Sequence, residues 1–583
     1  MLNKIIAVIM SCVISVTGFL YSSVNQIIDS VSELIFGIPY SVEAIKSDFF
    51  ESITEDDIVK FDSENGYLNN KIVVFINSET SFKDKLSFFK NSGGILIGWS
   101  APADLYVIEY GKMSYDAIIN KCEKLMLDEA VELAIPVTAS RYTPDGTPDD
   151  DFGYFDVYSE WDELWPDGRN WWLEAIDARQ AWDYVDYFNK INIGIVDSGF
   201  DIDHPDLENK IGFPSEKLAS RNRQDYHGTH VAGIIGGKHN GIGIAGICDN
   251  SNLICVDWSP ELLQMWIVDL EIYFGFSSVV KAGAKVVNFS VGSSASKVSN
   301  ESTLIEKTIT PAAYSYMMAS LLSKGYDFVA VQSAGNGDSY GNSINAQHNG
   351  LFSSINKNNI FTGANKVSAD EILNRIILVS SATNSGNGEY VQSYFSNVGS
   401  TVSLAAPGDD VYSCSIDGGY EYLSGTSMSA PVVTAVASLV WSVNPGFTGA
   451  EVKEIVCTST DSVAVVNDYA YYVYDDLEIM DYPMVNAKLA VEEALRRTDS
   501  STGTVFGKTY TEAAEIVFDG VSHTVFSDGS FSFVAKSGSG VAKVYDSYGN
   551  IIDSFVITVE AGKTVEVGAD IPGNNPATPS DVF

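Results

Sequence analysis

The chain has 583 residues, 45% of them hydrophobic, which suits several packed domains and argues against global disorder. Its net charge is −41 with no Lys/Arg-rich run, so neither nucleic acid nor an anionic membrane surface is an expected partner. Six cysteines in this length imply no disulfide framework.

The chain opens on MLNKIIAVIMSCVISVTGFLYSS, with Lys4 ahead of an apolar run from Ile5 to Leu20. That pattern predicts a secretory signal over residues 1–23, and hence a secreted or cell-surface protein. No later run is long and apolar enough to suggest a bilayer span, so no membrane contact is expected after signal removal. Residues 24–65 hold helical-looking pieces without readable chemistry. From about residue 70 to 137 the pattern is KIVVFIN, SFKDKLSFFKNS, GILIGWS, DLYVIEY, SYDAIINKCEKLM and AVELAIPV. The order is β-α-β-β-α-β, the ferredoxin-like unit. Residues 138–164 are polar, acidic and proline-containing, as expected of a linker open to cleavage.

From 165 to 500, short β-branched runs alternate with helical stretches: INIGIV, NLICV, AKVVNF, DFVAVQ and IILVSSA. Apolar strands between helices predict an α/β, doubly wound, mostly parallel sheet covered on both faces. Active residues in such sheets sit beyond the C-terminal strand ends, where Asp197, Asn288 and Asn336 fall. In the same region Cys248 and Cys255 read either as a pair or as two buried thiols around a strand. Strand-like runs separated by DG, SG and YGN turns predict a small β-sandwich over 501–570, and 571–583 reads as a tail.

Three segments carry chemistry: GIVDSGFDIDHPDL with Asp197, DYHGTHVAGIIGG with His227, and LSGTSMSAP with Ser427. A serine hydroxyl becomes a strong nucleophile when an imidazole takes its proton, and a carboxylate fixes the imidazole's tautomer. Ser427 would begin a helix running to about Val440, whose N-terminus favours a developing anion. Pro431 is expected near the unpaired first turn, and Ser424 and Ser429 as turn and cap residues. His230 reads as structural, since HGTH lacks the glutamate of a zinc-binding HExxH.

DSG, HGTHVAG and GTSMSAP, in that order, closely resemble the active-site signatures of the subtilisin-like serine peptidases. SAGN and VVNFSVG resemble two further segments, and the likeness runs over about residues 165–460. It implies a serine endopeptidase with Asp197, His227 and Ser427 as triad and Asn336 as oxyanion donor. It also implies Ser290, Val291 and Gly292 as the substrate-binding strand, with Gly335 and Gly337 bordering the pocket. The chemistry would need no cofactor. A structural calcium is implied at Asp206 and Asn240, residues that also read as an ordinary turn. Protein or peptide substrates are expected, with residues 24–137 as an inhibitory propeptide acting within the chain. Two other readings stay open: a processing peptidase dedicated to one partner, and a surface-binding protein with an inactive peptidase fold. The stretches NESTLIEKTITPAAYSYMMASLL and NGDSYGNSINAQHNGLFSSINKNN are longer than in compact family members, so substrate choice does not carry over.

Overall fold

The computed structural model describes residues 53, 55–61, 65–141, 147–148, 170–214, 226–257, 266–292, 309–337, 342–385, 389–467, 477–511, 513–525, 529–546 and 548–568, with the backbone of 43–45. The expected signal segment and tail lie outside them, as does most of the linker. The chain divides into two compact units.

The first unit is built from β1 (Asn65–Ile76), α1 (Phe82–Asn91), β2 (Ile95–Ser100), β3 (Leu105–Glu109), α2 (Tyr115–Leu125) and β4 (Val131–Arg141). This is the β-α-β-β-α-β order of the sequence. The strands align as β2-β3-β1-β4, and Glu43–Ile45 pairs antiparallel with Gly98–Ser100 at the β2 edge. Ser81 starts α1, its hydroxyl accepting the Asp84 N–H. Ile72, Val73, Val74, Phe75, Val107 and Ile108 are fully buried along the paired centre of the sheet. Residues 65–67, the start of β1, and 138–141, the end of β4, group with the second unit.

The second unit centres on a sheet in which β5 (Ile191–Asp197), β6 (Ser251–Asp257), β8 (Val286–Phe289), β9 (Val329–Ser333) and β10 (Ile376–Asn384) run parallel in the order β10-β9-β8-β5-β6. These are the five strands that the β-branched runs predict. A further short strand, β7 (Trp266–Val268), lies apart from this sheet and leads into α4 (Asp269–Lys281). The helix α3 (His227–Gly236) follows β5, α5 (Thr310–Ser323) lies between β8 and β9, and β11 (Tyr420–Ser424) leads into α6 (Thr426–Val443). Every residue of α6 is buried, which gives its 18-residue apolar run a role in the core. Ala430, Ala435 and Ala437 are fully buried, and small side chains there allow close approach of α6 to its neighbours.

Cys248 and Cys255 are free, buried thiols; burial pushes Cys248 up to about 12, so neither is poised as a nucleophile. Beyond α7 (Ala487–Thr498) come two small sheets. One holds Ser530–Lys536, Thr502–Lys508 and Thr564–Gly568; the other Val521–Thr524, Ala513–Phe518, Gly538–Asp546 and Ile551–Val559. Together they form the sandwich-like module expected over 501–570.

Candidate active site

Asp197 is the last residue of β5 and is fully buried. Its Oδ1 accepts the Ser198 N–H at 2.7 Å and lies 2.6 Å from Nδ1 of His227. That contact places the imidazole proton on Nδ1 and leaves Nε2 as the acceptor. The pair is positioned by backbone. Gly228 N–H donates to the Ser198 carbonyl (2.7 Å) and Thr229 N–H to the Gly199 carbonyl (3.0 Å), so the first turn of α3 is tied to the loop that carries Asp197. Gly228 is needed for this approach: a Cβ there would stand 2.8 Å from the Gly199 oxygen and 2.8 Å from the Phe200 ring.

Ser427 is the second residue of α6 and is fully buried. Its hydroxyl donates to the Ser290 carbonyl at 3.2 Å, and this hydrogen bond, rather than one to His227, is the one it makes here. The Ser290 hydroxyl in turn donates to the Ser427 carbonyl (2.7 Å) and accepts from Asn288 Nδ2 (2.9 Å). Thr434 Oγ1 donates to Asn288 Oδ1 (2.9 Å). The end of β8 and the start of α6 are thereby stitched side chain to backbone.

Pro431 is the sixth residue of the helix, past the first turn, so the expected placement needs correction. It lacks the N–H that would reach the Ser427 carbonyl four residues back, and the Ser290 hydroxyl supplies that bond instead. Ser424 and Ser429 do not cap the helix; Gly425 stands at the cap position. Ser424 Oγ accepts from Asp410 N–H (2.9 Å) and Ser429 Oγ donates to the Ala406 carbonyl (3.1 Å), pinning the helix start to the 406–410 turn.

Asn336 Oδ1 accepts both the backbone N–H and the hydroxyl of Thr426, each at 2.8 Å. With its oxygen held this way, Nδ2 is the end of the amide presented away from Thr426. Gly335 N–H donates to Thr426 Oγ1 (3.0 Å), so Thr426 fixes both neighbours. Gly335 and Gly337 have φ of 95° and 85°, a region that favours glycine. Gly337 N–H donates to Asn397 Oδ1 (3.0 Å), and Asn349 Nδ2 donates to the Ser333 carbonyl (2.8 Å). A Cβ on Gly292 would overlap the Asn349 amide at 1.9 Å. Val291 is buried, its carbonyl accepting from Gln332 Nε2 (3.3 Å). Sequence reasoning does not single out Thr426, Asn349 or Asn397. Thr426 lies within GTSMSAP, next to the serine, whereas the two asparagines act across long sequence separations and carry no local signal.

His230 is buried, with Nε2 at 3.2 Å from the Glu421 carbonyl; burial lowers its pKa to about 3 and keeps it neutral. It is structural, as its motif suggests. The calcium implied at Asp206 and Asn240 does not fit the side chains as they stand. Asp206 Oδ1 accepts from Asn240 Nδ2 (2.9 Å), and Oδ2 accepts from the Tyr420 hydroxyl (2.9 Å) and the Ile244 N–H (3.1 Å). Asn240 Oδ1, the oxygen a hard cation would need, accepts from Ile242 N–H (3.1 Å). Neutral donors thus complete the carboxylate. His204, Asp206 and Cys414 also cluster. However, His204 Nδ1 accepts from the Asp206 N–H and Nε2 bonds the Gly419 carbonyl, while burial holds the Cys414 thiol protonated.

Two stretches of the expected linker pair with strands of the second unit. Ala139, Ser140 and Arg141 pair antiparallel with Val268, Ile267 and Trp266 of β7. Thr147 and Pro148 pair antiparallel with Ser424 and Leu423 of β11, just ahead of Ser427.

A family model described as the subtilase family matches residues 189–490. Among relatives, a thermophilic serine proteinase of Bacillus sp. (strain AK1) is 24% identical over 74% of this chain and 93% of its own length. Subtilisin-like protease 2 of Plasmodium falciparum is 29% identical over 56% of this chain and 22% of its own. The minor extracellular protease Epr of Bacillus subtilis (strain 168) is 26% identical over 60% and 47%. The chain therefore spans less than half the length of these last two relatives. Among solved structures, fervidolysin from Fervidobacterium pennivorans, described as a keratinolytic enzyme related to subtilisin, superposes with a TM-score of 0.53. It is 20% identical and is matched over 88% of this chain and 79% of its own, a likeness of fold. With the matched segment enclosing the parallel sheet, the Asp197–His227 pair and the helix of Ser427, the chain belongs to the subtilase family.

Proposed function

We propose that the protein is a secreted serine endopeptidase, made as a precursor whose own N-terminal unit blocks the cleft until it is cut. The observation that carries the catalytic reading is the 2.6 Å bond between buried Asp197, at the C-terminal end of β5, and Nδ1 of His227, beside the strand β8 whose end is tied to the start of α6. In this reading the Ser427 hydroxyl turns from the Ser290 carbonyl toward Nε2 of His227. His227 takes the proton as Ser427 Oγ attacks the peptide carbonyl, and Asp197 stabilises the imidazolium. The Ser427 N–H and Asn336 Nδ2 receive the oxyanion. His227 then protonates the leaving amine, and water repeats the sequence to free the acyl group. Substrate lies extended along Ser290–Gly292, held by backbone, with Gly335 and Gly337 leaving room beside it.

Support for autoinhibition comes from the paired stretches 139–141, on the strand before α4, and 147–148, on β11 just ahead of Ser427, which this reading takes as two halves of one bound strand. The bond to be cut then lies between Arg141 and Thr147, which divides the propeptide unit from the catalytic unit within the expected linker. Export rests on the N-terminal charge-then-apolar pattern and on a relative named as extracellular. A fluorophosphonate probe should label the wild type and not Ser427→Ala. Purified Ser427→Ala should stay uncut, and N-terminal sequencing of the wild type should begin between residues 142 and 147. An unlabelled wild type sinks the enzymatic reading; a Ser427→Ala chain that still matures in pure form sinks self-processing.

A further inference from the structure

The bound tail reaches one residue further than its strand pairing. With Ala139 opposite Val268, Thr138 comes opposite Asp269, the first residue of α4, and its hydroxyl hydrogen-bonds the Asp269 carboxylate. Thr138 is buried in this contact, at 7% exposure. Behind the carboxylate lie two phenol rings, Tyr273 one turn along α4 and Tyr314 on α5, with centroids 4.8 Å apart. Both side chains are buried, and the Tyr314 hydroxyl has no hydrogen-bond partner among the described residues. Burial, with the Asp269 charge added, holds both phenols well above their ordinary pKa. Burial also pushes Asp269 up to about 6. A carboxylate in such a place accepts hydrogen bonds and is penalised when none is offered.

We propose that Asp269 is a specificity-determining residue: it selects substrates with a hydrogen-bond-donating side chain at the position Thr138 occupies, three residues before Arg141. The inference rests on the proposed function, because it treats residues 138–148 as a substrate lying in the cleft. A purely apolar pocket distinguishes a hydroxyl from a methyl poorly. A site built to bond the hydroxyl discriminates against the analogue that lacks it, because the half-buried acceptor then loses that partner. Thr and Val have nearly the same shape, so the pair isolates that effect.

The test uses the processed enzyme and three 15-residue peptides with the chain's own sequence 134–148, AIPVTASRYTPDGTP, carrying Thr, Ser or Val at position 138. The Thr and Ser peptides should be cut with similar kcat/KM, and the Val peptide about 10- to 100-fold more slowly. In Asp269→Leu the Val penalty should vanish or reverse. Equal cleavage of the Thr and Val peptides by the wild type overturns the proposal, whether or not the variant folds. Slow cleavage of the Ser peptide beside equal Thr and Val rates would show a pocket that reads shape, and overturns it too. If no peptide is cut while Ser427 still takes the fluorophosphonate, the tail's placement is wrong and catalysis stands. If the label also fails, the proposed function fails first.

Discussion

A proline inside a helix normally costs about 3 kcal/mol or more, because it removes one hydrogen bond and crowds the preceding turn. At Pro431 the orphaned carbonyl belongs to Ser427 and is taken up by the Ser290 hydroxyl. Ser427, the proposed nucleophile, is thereby anchored from outside its own helix, by the strand that is also the proposed substrate-binding edge. Asn336 is anchored in a similar way, with Thr426 holding its oxygen and leaving its N–H end for the proposed donor role. Asn336→Leu should lower kcat roughly 10²–10³-fold with KM little changed, the size of loss known for the equivalent donor in a subtilisin. Steady-state kinetics would check it, and an unchanged kcat would remove Asn336 from the mechanism. The residues proposed for the chemistry are legible in the sequence, because each lies in a short motif. Their supports are less so: Ser290 and Thr426 lie inside such motifs without an evident partner, and Asn349 and Asn397 have no motif. Ser424 and Ser429 depart from the capping role expected of them, since a serine beside a helix start looks like a cap until the turn at 406–410 is known to pass beside it.

Among elements, the contact that matters most is the first turn of α3 against the loop after β5. Two backbone N–H groups donate into that loop, and Gly228 lets the chains meet without a side chain between them. Gly228→Ala should force the turn outward by part of an ångström, at about 1–3 kcal/mol in stability. Because His227 rides on this turn, kcat/KM should fall further than stability suggests, approaching 10²-fold. Thermal melts beside kinetics would separate the two losses, and equal, small effects would show that the His227–Asp197 geometry does not depend on this contact. All five parallel strands are readable, because an apolar run buried on both faces has one explanation in an α/β chain. The calcium at Asp206 and Asn240 is implied by the family resemblance. A resemblance does not tell which way an amide turns, and the Tyr420 hydroxyl that completes Asp206 lies 214 residues away.

At the scale of the whole molecule, the C-terminal module is fastened to the catalytic region by polar contacts that no local pattern in the chain announces. Asp183 accepts the Thr524 backbone N–H (2.7 Å) and hydroxyl (3.3 Å). Tyr184 donates to Glu492 (2.8 Å) and accepts from the Val534 N–H (2.9 Å). Burial raises Asp183 from 3.8 to about 6, partly offset by the Thr524 bonds. The folded state therefore binds this proton more tightly than the unfolded one. Stability from this group is greatest below about pH 4 and declines as pH rises through 6, by on the order of 2–3 kcal/mol. Asp183→Asn should raise Tm at pH 8, and the gain should shrink toward zero near pH 4. A gain independent of pH would mean that the carboxylate does not titrate in this range.

The short edge β7, covered by the chain's own residues 139–141, has a kinetic consequence. On the proposed reading, the tail, while part of the same chain, competes for the cleft at an effective concentration that no free peptide reaches. Scission turns that contact into an encounter between two molecules, and dilution alone then weakens it. Activity in a freshly processed sample should therefore emerge faster, per molecule of enzyme, as the sample is made more dilute. A lag that stays constant across dilutions would mean that the severed tail leaves at once.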